Sequence, residues 1–180
     1  MSDSPVAAVA ERRMCRADAW RTLRGTVARA AVFAAAAVAL FTWVFGLVVV
    51  QGDGMEPASG DGDVALMCRL HGQLAVDDLV VYRGRSGEEL VGRVVALPGD
   101  TVQVTDDGTV MLNGADQPDM NGQKALPSES GPAYPLVLGE GEYFVLGDNR
   151  SSVVDSREMG AIGINEVEGK VIALLRLRNI

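Results

Sequence analysis

The side chains best suited to chemistry are concentrated near the C-terminal end, where Gly-Asp-Asn-Arg is followed a few residues later by Asp-Ser-Arg. Carboxylates placed among guanidinium groups form charge-assisted hydrogen bonds, which either support a reactive site or simply stabilise a tight turn. The sequence leaves both roles open. The charged and amide residues of this cluster are Asp148, Asn149, Arg150, Asp155 and Arg157.

Few residues could supply a general base. A lysine activates a serine only when apolar neighbours lower the lysine pKa toward neutrality. The chain has two lysines, Lys124 in a predicted loop and Lys170 at the start of a predicted strand. The single histidine, His71, could pair with Asp77 or Asp78, but a lone histidine beside an acidic turn is usually a surface residue. No spacing of Cys and His is typical of a metal site, so we expect no metal and no cofactor.

The charge is divided unevenly along the chain. Residues 1–29 carry six arginines against three acidic residues, whereas residues 51–180 carry ten basic against twenty-one acidic residues. These parts have net charges of +3 and −11, which together give the formal net charge of −8. The acidic part has too few cations to neutralise phosphates, so the composition argues against nucleic-acid binding.

Residues 30–50 contain no charged side chain. A helix of this length, at about 1.5 Å per residue, spans roughly 30 Å, the thickness of a bilayer core. We predict a transmembrane helix here; the alternatives are a cleaved secretory signal or a buried core helix. The upstream arginines predict a single-pass cell-membrane protein with residues 1–29 in the cytoplasm and residues 51–180 outside it. Cys15 and Cys68 then lie on opposite sides, and Cys68 is expected to be a buried thiol in a strand.

The extracytoplasmic part alternates short apolar runs with Gly, Asp and Pro, which predicts a mainly β domain. Asp107-Gly108 and Asn113-Gly114 predict tight turns between strands, because these pairs tolerate a positive φ. Residues 115–141 are rich in Gly, Pro, Ser and acidic groups and predict a long surface loop, either solvated or involved in binding. The predicted strands cover residues 64–70, 79–83, 90–97, 101–105, 109–112, 142–146 and 170–177.

Four sequence boxes follow the apolar segment in a fixed order. The first is Gly52-x-Gly54-Met55-x-Pro57 with a following Gly62-Asp63, and the second is Asp-Leu-Val-Val-Tyr over 78–82. The third runs from Arg93 to Asp100 and includes Leu-Pro-Gly-Asp, and the fourth covers 147–157. Together these boxes resemble those of type I signal peptidases (the S26 family), membrane-anchored proteases that remove signal peptides with a Ser–Lys pair. The resemblance implies a signal-peptidase-type β-barrel or sheet domain behind one transmembrane helix.

The chain departs from that family where the chemistry is performed. By the resemblance, Gly54 occupies the position of the serine nucleophile, Gly92 that of the lysine base, and Val153 that of a serine that orients the lysine. Ser59 lies beyond Pro57 and would need a different backbone path to replace the nucleophile. Residues that shape the peptide groove and its support are retained: Met55, Pro57, Arg93, Pro98, Asp148, Asn149, Arg150, Asp155, Ser156 and Arg157.

Glycine at both positions favours a pseudoenzyme, because removal of a nucleophile costs a serine protease about six orders of magnitude in rate. Such a chain resembles pilus-assembly partners of Gram-positive bacteria, noncatalytic chaperones that help sortases to polymerise pilins. The resemblance implies a bilayer, an exported client such as a pilin, and a sortase as partners. The alternative is a signal peptidase I, either with an unconventional mechanism or with engineered substitutions at the Ser and Lys positions. A decayed remnant without a partner is the third possibility.

Overall fold

The computed structural model describes residues 5–118, 120–151 and 154–177. The chain divides into two units, Met1–Trp43 and Val44–Ile180, each of which is described by itself. The first unit is helical and the second is mainly β. This arrangement confirms the predicted fold class, a β domain with one N-terminal apolar helix.

Helix α1 spans Pro5–Val44, and its part from Thr22 to Val44 is long and apolar enough to cross a membrane. The large apolar side chains of this part are exposed, with Phe33 at 77% and Trp43 at 83%. The predicted helix over 30–50 requires a correction at its C-terminal end, because residues 45–49 form strand β1 instead. Val48 and Val49 are β-branched residues that suit a pleated strand, and β1 pairs with β2 through backbone hydrogen bonds.

A seven-stranded sheet forms the larger part of the second unit, and every pairing described in it is antiparallel. Its strand order is β1-β2-β11-β3-β4-β9-β10. The strands in this order are β1 Phe45–Val49, β2 Val64–Cys68, β11 Val167–Leu175, β3 Leu79–Arg83, β4 Glu89–Ala96, β9 Glu142–Leu146 and β10 Ile162–Gly163.

A four-stranded sheet of order β7-β6-β5-β8 completes the unit. The predicted hairpin is confirmed, since β5 pairs with β6 around Gly108, whose φ is +83°. The predicted surface loop 115–141 is only partly irregular, because its two ends contribute β7 and β8 to this sheet. The strands of this sheet are β5 Thr101–Val104, β6 Val110–Leu112, β7 Ala115–Asp116 and β8 Leu136–Val137.

Strand β9 joins the two main hydrophobic cores. Tyr143 and Val145 enter one buried cluster, together with Val80, Tyr82 and Val94. The alternate residues Phe144 and Leu146 enter the second cluster, which lies under the four-stranded sheet. Successive side chains of a strand point to opposite faces, so the continuous apolar run of β9 is buried on both sides. The fourth box therefore begins at the end of a rigidly packed strand.

Three short helical segments lie outside the sheets in the described parts of residues 120–177. Helix α2 spans Ser156–Met159 and begins within the fourth box. A 3-10 turn covers Ile164–Glu166, immediately before β11. Another 3-10 turn, Met120–Gly122, lies within the predicted loop and contains Asn121 at φ 55°.

Candidate functional site

An open groove of about 340 Å³ lies on the β unit and is called the peptide groove below. One wall is the loop that follows β1, and a second is the start of β4 with the residue before it. The end of β9 and the fourth box close the third side. The described lining residues are Val50, Gln51, Gly52, Asp53, Gly54, Met55, Glu88, Glu89, Leu90, Val91, Gly147, Val154 and Asp155.

The loop that carries Gly54 is held at both ends. The backbone of Val50 exchanges hydrogen bonds with the far end of the loop, donating to Asp63 over 2.8 Å and accepting from Gly62 over 2.9 Å. The Gly52 N–H donates to Oδ1 of Asp61 over 2.9 Å. Met55 is 2% exposed and anchors the loop in the interior. The nucleophile position thus lies on a fixed turn.

Asn149 of the fourth box joins this turn directly. Its backbone N–H donates to the carbonyl oxygen of Gly54 over 3.0 Å, and its Nδ2 donates to the carbonyl of Asp53 over 3.2 Å. These bonds position the first box against the end of β9 without any contribution from a side chain at residue 54.

Gly92 lies in β4 opposite Val80 of β3, and neighbouring side chains fill the space beside it. An ideal Cβ on Gly92 would lie 2.5 Å from Cγ1 of Val145 and 3.1 Å from Cε1 of Tyr82. It would also lie 3.3 Å from the carbonyl oxygen of Leu146. Real Cβ atoms almost never approach a neighbour at 2.5 Å. The base position is therefore packed as a glycine, with Val145 fully buried against it.

Tyr82 lies beside Gly92 and is buried in the same cluster. Burial raises the pKa of its phenol well above the ordinary value, and the nearby carboxylates of Asp155 and Glu88 raise it further. Its hydroxyl donates to the carbonyl oxygen of Val154 over 3.5 Å, at the rim of the groove. A neutral, buried phenol of this kind packs the site and cannot accept a proton from a nucleophile.

Arg93 and Asp148 form a two-point ion pair outside the lining of the peptide groove. Nε of Arg93 lies 2.8 Å from Oδ1 of Asp148, and Nη2 lies 2.7 Å from Oδ2. Nη1 of Arg93 donates to the carbonyl of Asp77 over 3.1 Å. The hydrogen bond with Asp148 raises the pKa of Arg93. The third and fourth boxes are thereby joined, because planar guanidinium and carboxylate groups match in geometry.

Asp155 and Arg157 form a second ion pair in the interior, with Arg157 fully buried. Asp155 caps helix α2 by accepting the Arg157 backbone N–H over 2.9 Å, and it accepts the Gly147 N–H over 3.2 Å. Nη1 of Arg157 donates to the carbonyl of Arg150 over 2.7 Å. Oγ of Ser156 accepts the Val145 N–H over 2.9 Å. These contacts hold the 147–157 segment against β9.

The structure places the remaining predicted site residues at different distances from the groove. Pro57 is exposed beyond the turn, and Pro98 is exposed and lines a separate depression beside Leu97 and Tyr143. Val153 lies outside the described residues. Ser59 is fully buried, so its hydroxyl cannot serve as an accessible nucleophile.

The other groups considered for chemistry have structural partners away from the groove. Lys170 pairs with Asp78 over 2.6 Å, and Lys124 lies 3.8 Å from Asp107. Nε2 of His71 lies 3.3 Å from the carbonyl of Val167, so His71 is half-buried and the expected surface position is corrected. Cys68 is a free, partly buried thiol.

Sequence reasoning missed the residues that define the base position and the groove rim. Tyr82 and Val145 flank Gly92 only because β3 and β9 pair with β4 in one particular register. Glu88 and Glu89 line the groove because they precede the apolar part of β4. The hydrogen bond from Ser86 lowers the pKa of Glu88, so this carboxyl is ionised at neutral pH. The alternating pattern of β4 could have placed Glu88 and Glu89 at the groove. It could not have placed Tyr82 and Val145 beside Gly92.

Comparisons with known proteins identify the family of the chain. The family described as "Signal peptidase, peptidase S26" matches residues 23–175. A signal peptidase I of Bacillus caldolyticus is 35% identical over 155 residues, covering 78% of this chain and 84% of that protein. Signal peptidase IB of Staphylococcus aureus is 31% identical, covering 68% and 73%. A crystal structure of an Enterococcus faecalis signal peptidase I is 29% identical, covers 57% of this chain and 98% of that one, and has a TM-score of 0.45.

An apolar N-terminal helix, long enough to cross a membrane, is followed in the sequence by an antiparallel β unit whose groove is lined by residues of the first and fourth boxes. Because the family match spans most of the sequence, the chain belongs to the signal peptidase family, peptidase S26. The resemblance inferred from the four boxes is confirmed at this level.

Proposed function

We propose that this chain is a noncatalytic member of the signal peptidase family that binds an extended segment of an exported protein in its peptide groove. The observation that carries the proposal is the packing of Gly92, where Val145 and Tyr82 occupy the volume that a base side chain would need. If only the side chain of a base had been lost, an empty space would remain beside residue 92. Instead, the side chains of Val145 and Tyr82 fill that space.

The groove supplies no replacement for the missing pair. None of its described lining residues is a serine, threonine, cysteine, lysine or histidine. Its ionisable groups are the carboxylates of Asp53, Glu88, Glu89 and Asp155. A carboxylate pair that shares a proton needs one raised pKa, but the pKa of Glu88 is lowered and Asp155 is committed to Arg157. These features support binding without hydrolysis.

The free edge of β4 supports an extended peptide as the ligand. Residues 89–93 of β4 pair with β3 on one side, whereas β9 begins its pairing on the other side only at Arg93. The stretch before Arg93 therefore presents a strand edge toward the groove, where a client can add a strand through backbone hydrogen bonds. The glycines at 52, 54 and 147 let the client backbone approach the walls closely.

The test is to measure binding and cleavage on the same sample. Purified full-length chain in detergent micelles is mixed with a fluorescent peptide that contains an Ala-x-Ala signal-peptide cleavage site. We expect saturable binding and an intact peptide by mass spectrometry. The variant Gln51→Trp, which fills the groove, should lose binding, whereas Gln103→Trp, an exposed residue of the other sheet, should keep it. Cleavage that Gln51→Trp abolishes and Gln103→Trp retains would overturn the proposal.

The narrower proposal is that the client is a pilin presented to a sortase. This step rests on the resemblance to noncatalytic assembly partners, and the acidic, extracytoplasmic domain is compatible with it. Deletion of the gene should abolish pilus polymers while leaving pilin secretion intact, and a chain with Gln51→Trp should fail to restore them. Normal polymers in the deletion strain would exclude a pilin as client.

A signal peptidase activity is the second candidate, favoured by the intact Arg93–Asp148 and Asp155–Arg157 pairs around the groove. The relatives named signal peptidase I and IB agree with this alternative. It requires a nucleophile and a base that the described groove lining does not contain. The cleavage measurement above decides between the two candidates.

A further inference from the structure

A second cavity of about 280 Å³ lies next to the peptide groove and is called the Arg150 pocket below. Val91 lines the groove, whereas Arg93 and Val95 line the Arg150 pocket, and alternate residues of a strand share one face. The two cavities therefore follow one another along the same face of β4. The described residues that line the pocket are Val76, Asp77, Arg93, Val95, Gln117, Pro118 and Arg150.

Arg150 is buried without a partner for its charge. The residue is 6% exposed, and Nε has no hydrogen-bond partner among the described residues. Its described hydrogen bonds are made by the main chain alone: the backbone N–H donates to Oε1 of Gln123 over 2.9 Å, and the carbonyl oxygen accepts from Nη1 of Arg157 over 2.7 Å. Burial lowers the pKa of the guanidinium, so the charged form is poorly solvated. The two nearest carboxylates, Asp148 and Asp155, are held by Arg93 and Arg157.

The ion pairing of this region leaves the Arg150 guanidinium open to an anion. Arg93 pairs with Asp148 and Arg157 with Asp155, and the Asp77 carboxylate, which also lines the pocket, acts on Arg93. No described carboxylate lies within ion-pair distance of Arg150. An uncompensated buried charge destabilises the free protein. A bound carboxylate would give the Nε of Arg150 the partner that it lacks among the described residues.

We propose that the Arg150 pocket binds a carboxylate, namely an acidic side chain of the client segment that lies in the peptide groove. The assignment of the carboxylate to the client rests on the proposed function. The assignment of the binding site rests on the pocket alone. The planar guanidinium of Arg150 can donate two parallel hydrogen bonds to the oxygens of one carboxylate. Val76, Val95 and Pro118 supply apolar walls for the methylene groups of an aspartate or glutamate. Arg93 also lines the pocket, but its charge is already paired with Asp148.

The first experiment tests the pocket without a client. Thermal unfolding of the full chain in micelles is followed in sodium acetate and in sodium chloride at equal ionic strength. Acetate should raise the midpoint of the wild type but not of Arg150→Met. Arg176→Met, at an exposed position, should respond as the wild type does. In chloride, Arg150→Met should melt higher than the wild type, because an unpaired buried charge has been removed. An equal acetate response in both chains, or a lower midpoint for Arg150→Met in chloride, would overturn the site.

The second experiment tests the source of the carboxylate. Two amidated peptides with the same Ala-x-Ala segment carry either Glu or Gln at successive positions after it. The best Glu peptide should bind the wild type about tenfold more tightly than its Gln partner, as expected for one charge-assisted pair. That difference should vanish in Arg150→Met and be partly kept in Arg150→Lys. Equal binding of Glu and Gln peptides overturns the inference while the proposed function stands. If neither peptide binds, the client role falls, although acetate stabilisation would still assign the carboxylate site.

Discussion

Gly147 and Gly54 approach so closely that an ideal Cβ on Gly147 would lie 2.5 Å from the carbonyl oxygen of Gly54. The same carbonyl accepts the backbone hydrogen bond of Asn149. The contact is between two main chains, which cannot move aside as a side chain can. The position of the Gly54 turn over the groove therefore depends on glycine at 147.

Gly147→Ala should separate the Gly54 turn from the fourth box. We expect a loss of about 1–3 kcal/mol in the free energy of unfolding, the usual cost of overpacking, and weaker peptide binding. Circular dichroism melting and fluorescence anisotropy measure the two effects. Gly72→Ala is the matched control, since its Cβ would meet no atom within 4 Å and should change stability by less than about 0.5 kcal/mol. Equal melting of the two variants would contradict the close contact.

The Asp155–Arg157 pair is expected to dominate the stability of the fourth box. Arg157→Met leaves a buried carboxylate without its cation and should destabilise the chain by about 3–5 kcal/mol. The double variant Asp155→Asn with Arg157→Met should lose less than the sum of the single variants, because the uncompensated charge is then absent. Chemical denaturation of the three variants measures this coupling. Additive losses would show that the two residues do not act as a pair.

Asp78 contributes a pH-dependent increment to stability. Burial by itself raises the pKa of this carboxyl, but the hydrogen bonds from Lys170 and the Ala75 N–H lower it below 3.8 overall. A carboxyl with a lowered pKa in the folded chain stabilises it above the unfolded pKa, and the contribution is lost as the pH falls through the folded value. Asp78→Asn should therefore reduce the melting temperature at pH 7 more than at pH 3, whereas Asp106→Asn, at an exposed position, should not. A pH-independent difference would contradict this linkage.

The β architecture could be predicted from the sequence because alternation and turn residues are local signals. Every predicted strand run contains a strand, and Asp107-Gly108 marks the hairpin. Strand β1 was missed because its residues continue the apolar run of the helix. Composition does not distinguish a membrane helix from a buried strand, and only the pairing with β2 decides. The two-residue strands β7, β8 and β10 likewise depend on partners that are distant in sequence.

The four boxes locate the candidate site in the sequence. They do not show how tightly Gly92 is packed or whether Arg150 has a partner for its charge. The glycines at 54 and 92 are visible in the sequence, whereas the closure over Gly92 depends on Val145, a residue of β9 more than fifty positions away. The uncompensated charge of Arg150 is also invisible, because the local sequence offers it two aspartates. Both aspartates are engaged by other arginines once the chain is folded.

The orientation in the membrane is predicted from the arginines of residues 1–29. In intact cells, a membrane-impermeant maleimide should not label Cys15 in a Cys68→Ser chain, and permeabilisation should expose it. The exposed position 103 should be labelled without permeabilisation in a chain that carries Gln103→Cys and lacks both native cysteines. The positive-inside rule gives this expectation. Labelling of Cys15 in intact cells would reverse the assigned orientation.

Substitutions at Gly92 and Val145 can distinguish a base position that is filled by its neighbours from one that has only lost its side chain. Gly92→Ala introduces a Cβ that would lie 2.5 Å from Cγ1 of Val145 and 3.3 Å from the Leu146 carbonyl, so it should destabilise the chain by about 1–3 kcal/mol. Val145→Ala removes the obstructing methyl groups and, alone, should also destabilise the chain, because a buried cavity is left. In the double variant the new methyl group occupies part of that cavity. The two losses should therefore be less than additive, with a coupling of about 0.5–3 kcal/mol in a double-mutant cycle. Full tolerance of Gly92→Ala would mean that the base position is open, and the main support for a noncatalytic groove would be lost.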